Sequence, residues 1–273
     1  ALQQVLQSAK SQRVPTMTQL VDLIAINELL GTVESSGDGK NANLVAQLET
    51  ESLADKAAEF KTTNNDDTIG WIRIPNTNVD YPVVYKAGVE NYAYYESKGY
   101  DKQYSKDGVI WADYECTFPE LSQNTTLYGH NWHNIYTPRT QANMQANDLM
   151  FSLVMSYNYT DFAQENPFVY FSTTEQDYVF QVFASYYTDL NFGYNYAQMS
   201  QEDFQKVIAE AKAKSLSNYN VPVTSEDKIV TLSTCTRVHG NTNNQRFVVM
   251  AKLVPVGTPS TTISTHSNPI AYN

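Results

Sequence analysis

From Thr68 to Val254 the chain is a succession of short runs rich in Val, Ile, Tyr and Phe, and this texture constrains the fold more than any other feature. TIGWIRIP (Thr68 to Pro75) and DYPVVY (Asp80 to Tyr85) flank an Asn-rich turn and predict a strand pair. GVIWADY (Gly108 to Tyr114), NTTLYGHN (Asn124 to Asn131), PFVYFST and the long QDYVFQVFASYYTDL predict four more strands. DKIVTLSTCT (Asp227 to Thr236) and RFVVMAKLV (Arg246 to Val254) close the series. Seven or eight short strands with few helices between them predict a mainly β fold with α additions, closed or nearly closed into a barrel. A βαβ sheet would need a helix at every crossover, and only one late helix is strongly written.

That helix follows Ser200-x-x-Asp203, a capping pattern, with Phe204, Val207, Ile208 and Ala211 at i, i+3, i+4 and i+7. It falls just before the strand of Cys235, so the barrel is expected to carry a helical flank there. DLMFSLVMSY predicts a shorter helix. Thr16-x-x-Gln19, with Met17, Leu20, Val21 and Ile24, predicts a first N-terminal helix. SSGDGKN (Ser35 to Asn41) reads as a turn, and Leu44, Leu48, Leu53, Ala57 and Phe60 as the apolar stripe of a second helix. The expected division is an N-terminal helical region (1–62), a β-barrel domain (63–258) and an extended Thr-, Ser- and Pro-rich tail (259–273).

Among its 273 residues, 29 Asp and Glu outweigh 18 Lys and Arg, for a net charge of −11. That balance excludes a nucleic-acid binder, which needs cations to displace phosphate counterions, and equally argues against binding to anionic lipid by surface charge. No apolar run is long enough to span a bilayer, and the N-terminus lacks a charged-then-apolar leader. A chain beginning at Ala1 is expected to be a processed form or a recombinantly trimmed one, which leaves a membrane anchor in the full-length protein open.

The two cysteines, Cys116 and Cys235, exclude a disulfide-rich scaffold and a four-cysteine zinc site. Both fall in strand-like segments, with nothing to make them face each other. Cys235 ends a strand just before the polar loop RVHGNTNNQ, where a thiol is accessible. A buried structural thiol is the commoner fate of a free cysteine, and position alone leaves both readings open. His130 ends another strand beside a glycine, which allows close backbone approach. His133 lies near it, but no acidic or thiol partner at metal-ligand spacing accompanies the pair. Arg246 opens the strand after the Cys235 loop, where a fixed guanidinium would hold an oxyanion or, more blandly, join a surface ion pair. His239 and Arg237 compete for the same roles from within the loop, and His266 sits in the tail.

Taken together, TLSTC at a strand end, a loop, and an arginine opening RFVVMAKL resemble the signature of the sortases. LYGHN resembles the segment carrying their catalytic histidine, GWIRIPNTNVDYPVVY their paired first strands and SKDGVIWADYEC their third strand. The match runs from about Thr68 to Val254. The helical N-terminus and the helix from Ser200 resemble class B; the lid motif and C-terminal anchor of class C are missing. Where many class B members carry an acidic residue after the cysteine, this chain has Thr236.

The resemblance implies a cysteine transpeptidase with a sortase-type barrel, Cys235 as nucleophile, His130 as acid/base and Arg246 as oxyanion stabiliser. Ser233 and Thr234 are expected to line the substrate groove and Tyr128 to support the histidine ring from its own strand face. His239 and Arg237 become bystanders, and Cys116 keeps the structural reading. No metal or cofactor is implied. The implied partners are substrate proteins bearing a C-terminal sorting motif and an amine acceptor, from a cell-wall peptide or a pilin lysine. The implied location is the outer face of the cell membrane. A cysteine protease and a non-catalytic adhesive surface domain are the competing classes. A papain-type protease would place its cysteine before the histidine, at the start of a helix.

Overall fold

A computed structural model describes residues 44–49 and 51–270. The expected helix around Thr16 to Ile24 and the turn at Ser35 to Asn41 lie outside the described residues. Residues from Leu44 onward form one compact unit.

Its frame is eight strands: β1 (Thr68–Arg73), β2 (Asp80–Val84), β3 (Ile110–Ala112), β4 (Asn124–Tyr128), β5 (Phe168–Thr173), β6 (Asp177–Asp189), β8 (Ile229–Cys235) and β9 (Gln245–Val254). They close in the order β1-β2-β3-β4-β8-β9-β6-β5, with β5 returning to β1 through pairs such as Gly70 with Thr173. Closure leaves the barrel without an edge strand, which removes the template for pairing with other chains. Most neighbours are antiparallel, including the β1–β2 pair expected from the sequence. The exceptions are β2–β3 and β4–β8, both parallel. Parallel neighbours need long connections. Accordingly, residues 85–109 link β2 to β3, and everything from 129 to 228 intervenes between β4 and β8.

Between β6 and β8 the chain makes α3 (Gln201–Lys214) and a two-residue strand, β7 (Ser217–Asn218). Ser200 caps α3 as its pattern predicts, its hydroxyl accepting from the Asp203 N–H at 3.1 Å. Phe204, Ile208 and Ala211 are buried against the core, at 0%, 1% and 0% exposure. The helix packs on β6, whereas β8 lies between β4 and β9 and meets the Ser152–Asn158 3₁₀ helix and Tyr194. That strand is buried from Ile229 to Thr234, a pattern that reads as continuous and not alternating. Burial relaxes only at its last residue, Cys235.

Three local expectations are corrected. The second N-terminal helix, α1 (Leu53–Thr63), begins at the Ser52 cap, whose hydroxyl accepts from Asp55 N–H, so Leu44 and Leu48 are not in it. Residues 44–49 instead run extended, where Ala46 exchanges backbone bonds with Thr258 (2.8 Å) and Gly257 (2.7 Å). DLMFSLVMSY forms a 3₁₀ helix, Ser152–Asn158, followed by α2 (Thr160–Glu165). Cys116 lies in the turn after β3, not in a strand. The tail is extended but pinned: β10 (Ser264–Thr265) pairs with β7, and the His266 ring donates through Nδ1 to Ser215 O at 2.7 Å.

Phe204 is the one residue of α3 among the largest fully buried side chains of the described residues. Phe204→Ala is expected to lower stability by about 3–5 kcal/mol, read as a fall in denaturant midpoint at unchanged m-value.

Candidate active site

The register of three adjacent strands assembles the site. In the parallel β4–β8 pair, Tyr128 sits beside Ser233. Continuing two residues along both chains brings His130 beside Cys235, on the same sheet face. Bonds beyond the strand end hold this alignment: Gly129 N–H donates to Ser233 O (3.4 Å), Thr234 Oγ1 to Gly129 O (2.8 Å) and Asn131 Nδ2 to Cys235 O (3.3 Å). On the other side, antiparallel β9 sets Arg246 opposite Cys235. Thr236 N–H donates to Gln245 O, so Cys235 and Arg246 form a non-hydrogen-bonded pair, in which Cα atoms approach to roughly 4.5 Å. Cys235 of β8 is therefore paired with Arg246 of β9, and His130 follows two residues after the end of β4, the strand on the other side of β8.

His130 is half-buried and touched on several sides. Trp111 and Trp132 have ring centroids 5.8 and 5.2 Å from it. Nε2 lies 2.5 Å from Glu96 O. A carbonyl only accepts, so Nε2 carries the proton in that bond. The neighbouring Gly129 is required by packing, because a Cβ there would lie 2.5 Å from Ile110 Cδ1 and 2.7 Å from Phe151 Cγ. Arg246 donates through Nη1 to Asn243 O and Gln245 O, both at 2.9 Å, which anchors the guanidinium at the mouth of the loop.

Tyr128 does share a side with His130: the Trp111 ring contacts both, with the Tyr128 centroid at 5.5 Å. Its hydroxyl donates to Asp113 Oδ2 (2.7 Å) and accepts from Asn195 Nδ2 (3.0 Å). Ser233 and Thr234 are buried, at 1% and 2% exposure. The Ser233 hydroxyl bonds Tyr194 Oη at 2.8 Å, and that of Thr234 is held by Gly129 O. Thr236, in the position after the cysteine, is fully buried; its hydroxyl donates to Ile135 O and accepts from Val238 N–H. A charged residue would find no counter-ion in those bonds.

Tyr194, Asp113, Trp111 and Trp132 complete the surroundings, and none was singled out from the sequence. Burial raises the Tyr194 pKa, the Ser233 bond and the Arg246 charge pull it down, and Cys235 pushes it up. Arg246 and Cys235 thus both lie within electrostatic reach of one phenol. Tyr194 comes from the 190–199 loop, which clasps β4: the Asn124 side-chain amide donates to Tyr194 O (2.7 Å) and Tyr196 O (3.2 Å). Such loop contacts leave no periodic trace in the sequence.

The competitors are engaged elsewhere. Arg237 donates to Thr236 O and Asn243 Oδ1 within the loop. His239 packs edge-on against Tyr187, centroids 4.7 Å apart, and burial lowers its pKa. His133 is exposed, and among the described residues no three His, Cys, Asp or Glu side chains group as a metal site. Cys116 is 2% exposed and burial pushes its thiol up to about 12.

In this closed mixed barrel Cys235 ends a strand and does not open a helix, unlike the cysteine of a papain-type protease. Comparison with known proteins gives the family: the sortase domain matches residues 72–254, and the chain belongs to the sortases. It is 30% identical over 193 residues to sortase B of Staphylococcus aureus, covering 70% of this chain and 72% of that protein. Against sortase B of Listeria monocytogenes the identity is 29% over 191 residues, covering 70% and 71%. The structure of a Staphylococcus aureus sortase B–substrate complex superposes with a TM-score of 0.62 at 27% identity, covering 76% of this chain and 88% of that one. Sortase B from Clostridium perfringens gives 0.59 at 27%, covering 72% and 98%. The chain is a class B sortase-type cysteine transpeptidase, and the adhesive-domain alternative is set aside.

Two measurements probe these surroundings. A thiol alkylating reagent at neutral pH is expected to label Cys235 and spare Cys116 until the protein is unfolded; equal labelling of the native protein would contradict the burial described. Burial also raises the Asp113 pKa, against the bonds from Glu115 N–H and Tyr128. A carboxyl raised in the fold contributes stability below its unfolded pKa and loses it as pH rises through the folded value. As pH rises across that window, just above the ordinary carboxylate range, wild-type stability should therefore fall relative to that of Asp113→Asn, which lacks this component.

Proposed function

We propose that Cys235, His130 and Arg246 carry out transpeptidation on proteins bearing a C-terminal sorting motif, and that the acyl group passes to an amine of a cell-wall peptide. The reading is supported above all by the register that aligns the three residues across β4, β8 and β9. The Cys235 thiolate attacks the carbonyl of the scissile Thr peptide bond, and Arg246 stabilises the oxyanion. His130 protonates the departing amine, leaving a thioester. The acceptor amine attacks that thioester, its excess proton goes to His130, and Cys235 leaves as thiolate.

Tyr128, Ser233 and Thr234 act in this reading beneath the substrate, as the floor that fixes the height of Cys235 and His130. Their hydroxyls are all engaged by protein partners, which favours bracing over direct substrate contact. The barrel domain, 63–258, carries the chemistry. Action on cell-wall surface proteins supports a place at the outer face of the cell membrane or in the cell wall, with a membrane anchor in the full-length protein. No helix among the described residues is long and apolar enough to cross a membrane.

Turnover of peptides carrying NPxTN- or LPxTG-type motifs, followed with and without an added amine, tests the assignment. Amine should divert product from hydrolysis to transfer, whereas hydrolysis indifferent to amine would indicate a protease. Cys235→Ala should abolish both. Arg246→Ala should reduce kcat by about 10²–10³, the usual loss for one oxyanion donor.

A further inference from the structure

The β2–β3 connection and Trp132 meet on the same ring, and that convergence has a chemical consequence. Glu96 O receives the His130 Nε2 proton at 2.5 Å. Gly108, at the end of the same connection, presses its backbone against the ring: a Cβ there would lie 2.9 Å from His130 Cδ2 and 3.3 Å from Nε2. Gly108 also has φ +60°, a conformation that glycine adopts without strain. The Cδ2–Nε2 edge therefore faces the β3 side of β4, where Trp111 also stands. Cys235 lies on the opposite side, on β8, because the strand order is β3-β4-β8. The two ring nitrogens sit on widely diverging edges, so with Nε2 donating to Glu96 O the nitrogen left to exchange protons is Nδ1.

Trp132 closes the remaining face. Its centroid is 5.2 Å from that of His130 with the planes only 32° apart, against 5.8 Å and 57° for Trp111. The indole is itself tethered: Nε1 donates to Lys106 O at 3.0 Å, and Lys106 Nζ sits 5.5 Å from its ring centroid. The tether comes from the connection that supplies Glu96 and Gly108. Trp132 is 47% exposed, so little of its burial serves the core.

Resting on the functional reading above, we propose that Trp132 is a positioning residue that holds His130 in a clamp with Glu96 O, fixing the proton on Nε2 and making Nδ1 the nitrogen that exchanges protons. In acylation, Nδ1 takes the Cys235 proton, sulfur bonds the carbonyl carbon, and the C–N bond breaks. Nδ1 then returns the proton to the departing amine. In the second half, the acceptor nitrogen bonds the carbonyl carbon, the C–S bond breaks to thiolate, and Nδ1 receives the amine proton. Nε2–H stays on Glu96 O throughout, because a carbonyl cannot supply or take a proton.

Nitrogen NMR of the ¹⁵N-histidine-labelled chain reads the tautomer without any variant, with His130→Ala identifying the signal. Neutral His130 protonated on Nε2 is expected; a proton on Nδ1 would overturn the proposal. Kinetics supply the second arm. Trp132→Ala should lower kcat on the order of tenfold, the scale of a misplaced catalytic group, with KM nearly unchanged, and Trp132→Phe, which keeps a ring but loses the Nε1 tether, should restore part of it. Wild-type kcat in Trp132→Ala, or Ala and Phe variants failing alike with a lowered unfolding temperature, would overturn it. If His130→Ala itself remains active, the functional reading fails; if it is inactive while Trp132→Ala is normal, only the clamp fails.

Discussion

The parallel pairing of β4 with β8 is the constraint on which the rest of the site depends. A slip of one residue in that register would send His130 and Cys235 to opposite faces, since side chains alternate with period two. Nothing local to either strand prevents such a slip. The lock is applied past the end of the pair, by Thr234 Oγ1 on Gly129 O and Asn131 Nδ2 on Cys235 O. Asn124 extends it at the other end: its side-chain oxygen accepts from Thr231 Oγ1 at 2.7 Å while its amide ties down the 190–199 loop. Asn124, Thr231 and Thr234 thus act as register pins inside a buried sheet, whereas the Thr125 hydroxyl of β4 is buried without a hydrogen-bond partner.

The same arrangement separates the fates of the two thiols. Cys116 is surrounded by protein in a turn, and desolvation of the thiolate keeps it protonated. Cys235 sits two residues beyond Ser233, which Tyr194 of the 190–199 loop covers, and one residue beyond the last buried position of β8. Reactivity here follows from where a strand leaves the core. Arg246 arrives at the same level because β9 runs antiparallel to β8, and the loop between them contains its own scaffold. Gln245, 1% exposed, bonds His239 N–H, Gly240 O and Thr242 Oγ1 with its side chain, which holds the loop closed beside the guanidinium.

Much of this was legible in the sequence because it rests on short-range pattern. The strand texture gave a barrel, Ser200 gave the start of α3, and the order of LYGHN, TLSTC and RFVV brought His130, Cys235 and Arg246 forward. What stayed hidden depends on contacts between distant segments. Leu44 and Leu48 continue a helical stripe on paper, yet backbone pairing of Ala46 with residues 257 and 258 outweighs it. Trp111, Trp132 and Glu96 act on one ring from three separate segments, and Glu96 does so through its backbone, so no residue type announces it. Tyr194 was one tyrosine among 20 until the fold set it against Ser233.

The central claim is that acyl transfer runs through Cys235. Intact-protein and peptide mass spectrometry after exposure to a sorting-motif peptide, with amine withheld, tests it most directly. The account predicts an acyl adduct mapped to Cys235 and released by added amine. An adduct on Cys116, or acyl transfer persisting in Cys235→Ala, would contradict it.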